Sequence, residues 1–391
     1  MKFDQAFFDA GIDRRGTHCE KWDDRSVMRE EGVPLWVADM DFPCAPAIAE
    51  AVQKRAEHPC FGYQSEDRGV TEALCAFWKR RHGLALEESQ VTPLPCVITG
   101  LKACVRAFTR EGDAVALFTP VYGPFYQAVR LNGRKVAAVP LTAEADGRYP
   151  MNLSGMEAAL REGAKLIMLC NPHNPLSRLW TKEELTALAA LAEKYDVKIV
   201  SDEIHADFVY APGVFTPILS VESARDRAVM LCAASKTFNI AGLQQAAAVA
   251  LDPALLEEIR RDMNASGVTS GNTFALAATE AAYREGDEWL DGLMAYLDGS
   301  RKLLEEFVEK NLPRVRMAPI EATYLAWLDL RAYGLSCEEL KEKCYLYGVA
   351  LTAGTFFGPE GEGFMRVNFG CPRKQLIMGM ERLCSALKEE K

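Results

Sequence analysis

A chain of 391 residues is too long for one simple core, so two domains are the natural expectation. Its composition, 49% apolar and 26% charged, is that of a compact globular protein, and a net charge of -10 argues against a nucleic-acid backbone as partner. The opening residues lack the basic-then-apolar order of an export signal, the apolar runs are strand-sized, and the twelve cysteines form no CxxC pair, so we expect a cytoplasmic protein without zinc or membrane span.

The first 45 residues carry no helix–strand repeat and are expected to complete the smaller of the two domains. LPCVITG opens a helix over 98–109, after which short β-rich runs alternate with amphipathic stretches. Strands are expected at 114–119, 135–140, 165–170, 198–202 and 228–233, several of them nearly continuous apolar runs, as buried parallel strands are. Between the third and fourth, TKEELTALAALAEKYD has capping-box spacing from Thr181 to Glu184 and sets Leu185, Leu188, Ala189 and Ala192 on one face. This alternation predicts an α/β domain with a mostly parallel sheet. From 287 the pattern changes to a helix over 287–311, a strand at 324–330, a helix at 336–347, a strand at 366–369 and a closing helix from 374, which predicts a smaller α+β domain. We place the large domain at 46–285 and the small one at 1–45 with 286–391.

Ligands of an open parallel sheet bind beyond the carboxyl ends of its strands. Here four strand ends are followed by PVYGPFY with Tyr122, NPHNPLSR with Asn174, SDEIHADF with Asp202 and His205, and SKTFNIAGLQ with Ser235 and Lys236. Each has a plainer reading alone: Asn-Pro starts turns, Asp-Glu caps a loop, and a lone lysine is a surface charge. Together they are the set that pyridoxal 5'-phosphate (PLP) requires. A lysine forms an imine with the cofactor aldehyde, a carboxylate keeps the pyridine nitrogen protonated, a ring stacks on the pyridine, and a donor holds its phenolic oxygen.

The order NPxNP, SDEIH, SKTFN resembles the fold-type I PLP enzymes of the aminotransferase-like superfamily. GTHCEKWDD, LWVADMDFP, FGYQ, TYLAWLDLR and RVNFGCPR narrow the resemblance to the MalY/PatB-type cystathionine β-lyases, or C–S lyases, from about residue 7 to 387. It implies a PLP-dependent transferase-like fold with a seven-stranded, mostly parallel sheet. It also implies Lys236 at the imine-forming lysine and general base, Asp202 at the partner of the pyridine nitrogen, and Asn174 at the donor to the ring oxygen. Tyr122 stands at the stacking ring and is a candidate to assist proton transfer. Arg366 stands at the arginine that takes the substrate α-carboxylate, helped by a backbone group at Ala38. The phosphate falls to the N–H groups of Val97 and Ile98, to Ser235, and to Tyr63 of a neighbouring subunit, which would also border the substrate and implies a homodimer with shared sites. His205 either touches the cofactor or only packs beside Asp202.

Three positions depart from the pattern: Ser177 where glycine is usual, Cys19 where serine is usual, and Gln244 where several aminotransferases carry a phosphate-binding arginine. A serine replacing a glycine of positive φ would be strained. The activity implied is α,β-elimination from L-cystathionine and related S-substituted cysteines. An aminotransferase needs the same lysine, aspartate and arginine, and a regulatory protein acting by contact with a transcription factor is the reading from another class.

Overall fold

The computed structural model describes residues 2–64, 68–268 and 271–388. In chain order its strands are β1 (Val33–Pro34), β2 (Val91–Leu94), β3 (Ala114–Thr119), β4 (Lys135–Pro140), β5 (Ala164–Cys170), β6 (Lys198–Asp202), β7 (Ala228–Cys232) and β8 (Ala246–Val249). They continue with β9 (Arg316–Met317), β10 (Leu325–Asp329), β11 (Val349–Ala350), β12 (Thr352–Ala353) and β13 (Phe364–Asn368). Seven form one sheet in the order β2-β8-β7-β6-β5-β3-β4. The pairs from β7 through to β4 are parallel, and β8 alone runs against its two neighbours. The fold is thus the expected mixed, mostly parallel sheet between helices. β7 is buried along its whole length, because both faces of a parallel sheet are covered.

The local signals act as their chemistry requires. Thr181 and Glu184 close a reciprocal capping box on Lys182–Lys194, whose Leu185, Leu188, Ala189 and Ala192 are buried against the sheet. Ser336 and Glu339 do the same for Cys337–Leu346. At Gly100 a Cβ would stand 2.6 Å from the Leu94 side chain and 3.1 Å from Leu231, so only glycine lets helix Val97–Phe108 lie this close to the sheet. That contact fixes where the helix N-terminus points. The helix begins one residue earlier than the sequence indicates.

A second, four-stranded sheet has the order β12-β13-β10-β9 and is antiparallel throughout. The N-terminal segment packs onto this part of the chain: β1 pairs with β11 in a separate two-stranded sheet, and the Leu35 carbonyl accepts from the Asn368 N–H of β13 at 2.8 Å. Beside it lies a cluster of four charges, Lys21 and Asp41 buried, Arg14 and Asp39 half-buried. Lys21, fully buried, is 2.8 Å from Asp41, and Arg14 reaches both Asp39 (2.6 Å) and Asp41 (3.0 Å). The Trp22 indole N–H also donates to Asp41. Two cations against two anions, with added hydrogen bonds, meet the condition for burying charge. The cluster explains why EKW and ADMD occur together: one segment clamps the other.

Candidate active site

The Lys198–Asp202 strand and its neighbours end at a cavity whose lining includes Ala38, Tyr122, Asn174, Asp202, His205 and Lys236. Val97, Ile98, Ser235 and Gln244 also line it, so residues from six separate sequence segments converge there. Tyr63 does not. It is fully exposed on the single chain, with Phe61 beside it also exposed.

Lys236 sits in the short helical turn Ala234–Thr237 after β7, and its Nζ donates to the Ala38 carbonyl at 2.6 Å. Burial pulls its pKa below the ordinary lysine value, against the pull of Asp39 and Asp202 in the other direction. The turn is held from both sides. The Thr237 hydroxyl donates to Asp207 at 2.6 Å, and Asp207 in turn lies 2.9 Å from the His82 ring. On the other side Asn239 accepts from the Met40 N–H and donates to the Met40 and Phe42 carbonyls.

Asp202, at the end of β6, is 5% exposed, and its carboxylate accepts one hydrogen bond among the described residues, from the Ile204 N–H. Burial raises its carboxyl to about 7, with the Ile204 N–H and the Lys236 charge opposing. A cation placed before it would hold it as carboxylate. His205 is buried, and its pKa is pushed down to about 3, first by burial and then by the Lys236 and Arg366 charges, so it is neutral near pH 7. Its Nδ1 has no partner among the described residues, while its ring meets Tyr324 edge-on at 5.8 Å.

Arg366, on β13, is 3% exposed and has no acidic partner among the described residues. It donates to Asn174 Oδ1 at 3.1 Å, to the Trp36 carbonyl at 2.6 Å and to the Thr352 hydroxyl at 3.2 Å. Its Nε is left unpaired, and burial alone draws its pKa down to about 10. A buried guanidinium without a counterion is costly and is ready to receive an anion with planar geometry. The Ala38 N–H makes no hydrogen bond among the described residues, and Ala38 lines the same cavity. Tyr122 precedes helix Gly123–Arg130; its N–H donates to the Asn174 carbonyl, and burial raises its phenol pKa.

The residues present fit pyridoxal phosphate. Helix Val97–Phe108 has no side-chain cap at Cys96, so its first N–H groups are available to a phosphate at the positive end of the dipole. Asp202 fits a protonated ring nitrogen, and Lys236 fits the aldehyde.

Sequence reasoning missed the supports: Asn239, Asp207, Asn368 and Tyr324. All four lay within quoted motifs, SKTFN, SDEIHADF, RVNFGCPR and TYLAWLDLR, but only their folded neighbours disclose what they hold.

Comparison with known proteins follows the same outline. The aminotransferase class I and II family model matches residues 30–383. Cystathionine beta-lyase PatB of Bacillus subtilis is 40% identical, over 97% of this chain and 99% of its own length. Protein MalY of Escherichia coli is 34% identical, over 97% and 98%. Among solved structures, a PLP-bound putative aminotransferase of Clostridium difficile superposes with a TM-score of 0.94 at 33% identity, covering 97% of this chain and 99% of that one.

Proposed function

The chain belongs to the aminotransferase class I and II family, on the branch of the PatB and MalY proteins, and from that premise we propose that it is a PLP-dependent carbon–sulfur β-lyase. It cleaves L-cystathionine and related S-substituted cysteines to a thiol, pyruvate and ammonia. The observation that carries the reading is Arg366, a buried cation without an acidic partner among the described residues, hydrogen-bonded to Asn174, which lines the cavity together with Lys236. PatB, a cystathionine β-lyase by name, supports elimination over transamination.

Arg366 and the Ala38 N–H hold the α-carboxylate, the fork from one side and the backbone from the other. Lys236 takes the α-proton as general base. Bound PLP supplies the electron sink for the resulting carbanion. Asp202 keeps the ring nitrogen protonated, Asn174 donates to the ring oxygen, and Tyr122 stacks on the ring. As the Cβ–S bond breaks, the electron pair leaves on sulfur and Lys236 returns its proton there, so base and thiol both end neutral. The enamine that is released hydrolyses to pyruvate and ammonia.

The phosphate is held by the Val97 and Ile98 N–H groups and Ser235, and by the partner's Tyr63 in a homodimer. Full exposure of Tyr63 beside exposed Phe61 supports this face as the one a second copy covers. His205 stays neutral beside the cofactor.

The test is a substrate panel of L-cystathionine, cystine, cysteine and S-methylcysteine, with pyruvate monitored continuously. Pyruvate from at least the thioethers is expected. A protein that carries the visible absorption of bound PLP yet forms pyruvate from none of them would overturn the assignment.

A further inference from the structure

Three sequence segments meet at one oxygen atom. The Ala38 carbonyl accepts from Lys236 Nζ at 2.6 Å and from the Tyr324 hydroxyl at 2.9 Å. A carbonyl oxygen has two lone pairs, and these two donors use both. Tyr324 is fully buried, its ring set edge-on to Phe208 at 4.8 Å and to His205 at 5.8 Å. Its hydroxyl has no other partner among the described residues, so its one polar bond is spent on that carbonyl.

The loop around Ala38 is immobilised at every neighbouring peptide. The Asp39 N–H closes a three-residue turn onto the Val37 carbonyl at 2.9 Å. Asn368 donates to the carbonyls of both Val37 and Asp39, Lys21 donates to that of Asp39 at 3.1 Å, and Arg366 and Thr352 donate to that of Trp36. Only the Ala38 N–H and carbonyl remain for the cavity, and the carbonyl is shared between a fixed phenol and the reacting amine.

We infer that the Ala38 carbonyl is the resting point of the free Lys236 amine, and that Tyr324 is a positioning residue that fixes this carbonyl for the proton transfer. The inference rests on the reading of Lys236 as general base. In that step the amine gains the substrate α-proton and becomes an ammonium, and its new N–H charge is received by an acceptor already aimed at it. When the proton moves on to sulfur, the amine is neutral again and no co-reactant is needed. Without the phenol the carbonyl would still exist, but its direction would be held only through the chain. A base misplaced by a fraction of an ångström loses proton-transfer rate more than it loses binding.

Tyr324→Phe removes one oxygen and keeps the ring in its packing. The test uses the holoenzyme with L-alanine in D2O, following exchange of the α-hydrogen by NMR. L-Alanine presents the same amine and carboxylate but has no group to eliminate. We expect Tyr324→Phe to slow exchange by about tenfold or more, with apparent L-alanine affinity kept within about threefold, the visible absorption unchanged and the melting temperature lowered by no more than about 4 °C, the cost of one buried hydrogen bond. Exchange at the unmodified rate, or a loss that lies wholly in affinity, would overturn the inference, as would absence of exchange by the unmodified holoenzyme. If the holoenzyme exchanges L-alanine and Tyr324→Phe slows it, while no thioether yields pyruvate, the inference stands and the lyase assignment fails.

Discussion

At the scale of the residue, the site is built from groups held in unfavourable protonation or charge states until a ligand completes them. Asp202 is the clearest case. In cofactor-free protein, burial raises its carboxyl to about 7 from an ordinary value of 3.8. Between those values the folded chain holds a proton that the unfolded chain has lost, so stability falls as pH rises through this window. Glu203, raised to about 8 by burial, acts in the same direction and extends the trend upward. Asp202→Asn removes its share of the loss. The melting temperature of the cofactor-free variant, relative to unmodified protein, should therefore climb by at least about 2 °C from pH 4 to pH 7. Parallel curves would contradict the burial argument. On the proposed pairing of Asp202 with the ring nitrogen, PLP should cancel much of the difference, because a protonated nitrogen would give Asp202 a cation partner.

At the scale of the element, Ser177 tests how a motif departure is absorbed. Its φ is +52°, in the left-handed region that favours glycine, as the sequence comparison anticipated. Its hydroxyl compensates, lying 2.8 Å from that of Thr323 and donating to the Leu325 carbonyl. The neighbouring Asn174 keeps its place against Arg366. Ser177→Ala keeps the backbone cost and loses the hydrogen bonds, a destabilisation of about 1–2 kcal/mol. Ser177→Gly also loses them but removes a left-handed penalty of about 1 kcal/mol, so glycine should cost less than alanine in urea unfolding. A glycine variant less stable than the alanine variant would refute this. The strand ends themselves were legible in the sequence, because a parallel sheet places its loops in a predictable position relative to each buried run. β2 and β8 were not. VTPL carries Pro93, tolerated there because β2 is the sheet edge, and AAAV has little β-branched character to announce a strand. The clamp of Arg14 and Lys21 on Asp39 and Asp41 was equally hidden, since it pairs residues some twenty positions apart through folding alone. Lys236 and Asp202 were legible as residue types at strand ends and Arg366 only through the resemblance carried by RVNFGCPR, while the shared Ala38 carbonyl needed three dimensions.

At the scale of the whole molecule, we keep the division into 46–285 and 1–45 with 286–391 as a proposal; β1 pairing with β11 supports the grouping of the chain's two ends. No helix among the described residues is long and apolar enough to cross a membrane. If each site of a homodimer takes Tyr63 from the other chain, Tyr63→Ala and Lys236→Ala fail in complementary ways. A mixed dimer then carries one doubly damaged site and one intact site. Random co-assembly of equal amounts should recover about a quarter of full activity from two variants that are each impaired, whereas activity no higher than the mean of the two would place Tyr63 in its own chain's site or in none. The central claim, elimination at the β-carbon, is tested most directly by the products from L-cystathionine with the holoenzyme and no added keto acid. Mass spectrometry should find homocysteine and pyruvate in equal amounts. Cysteine with 2-oxobutyrate, or a keto acid that retains the whole substrate skeleton, would contradict it.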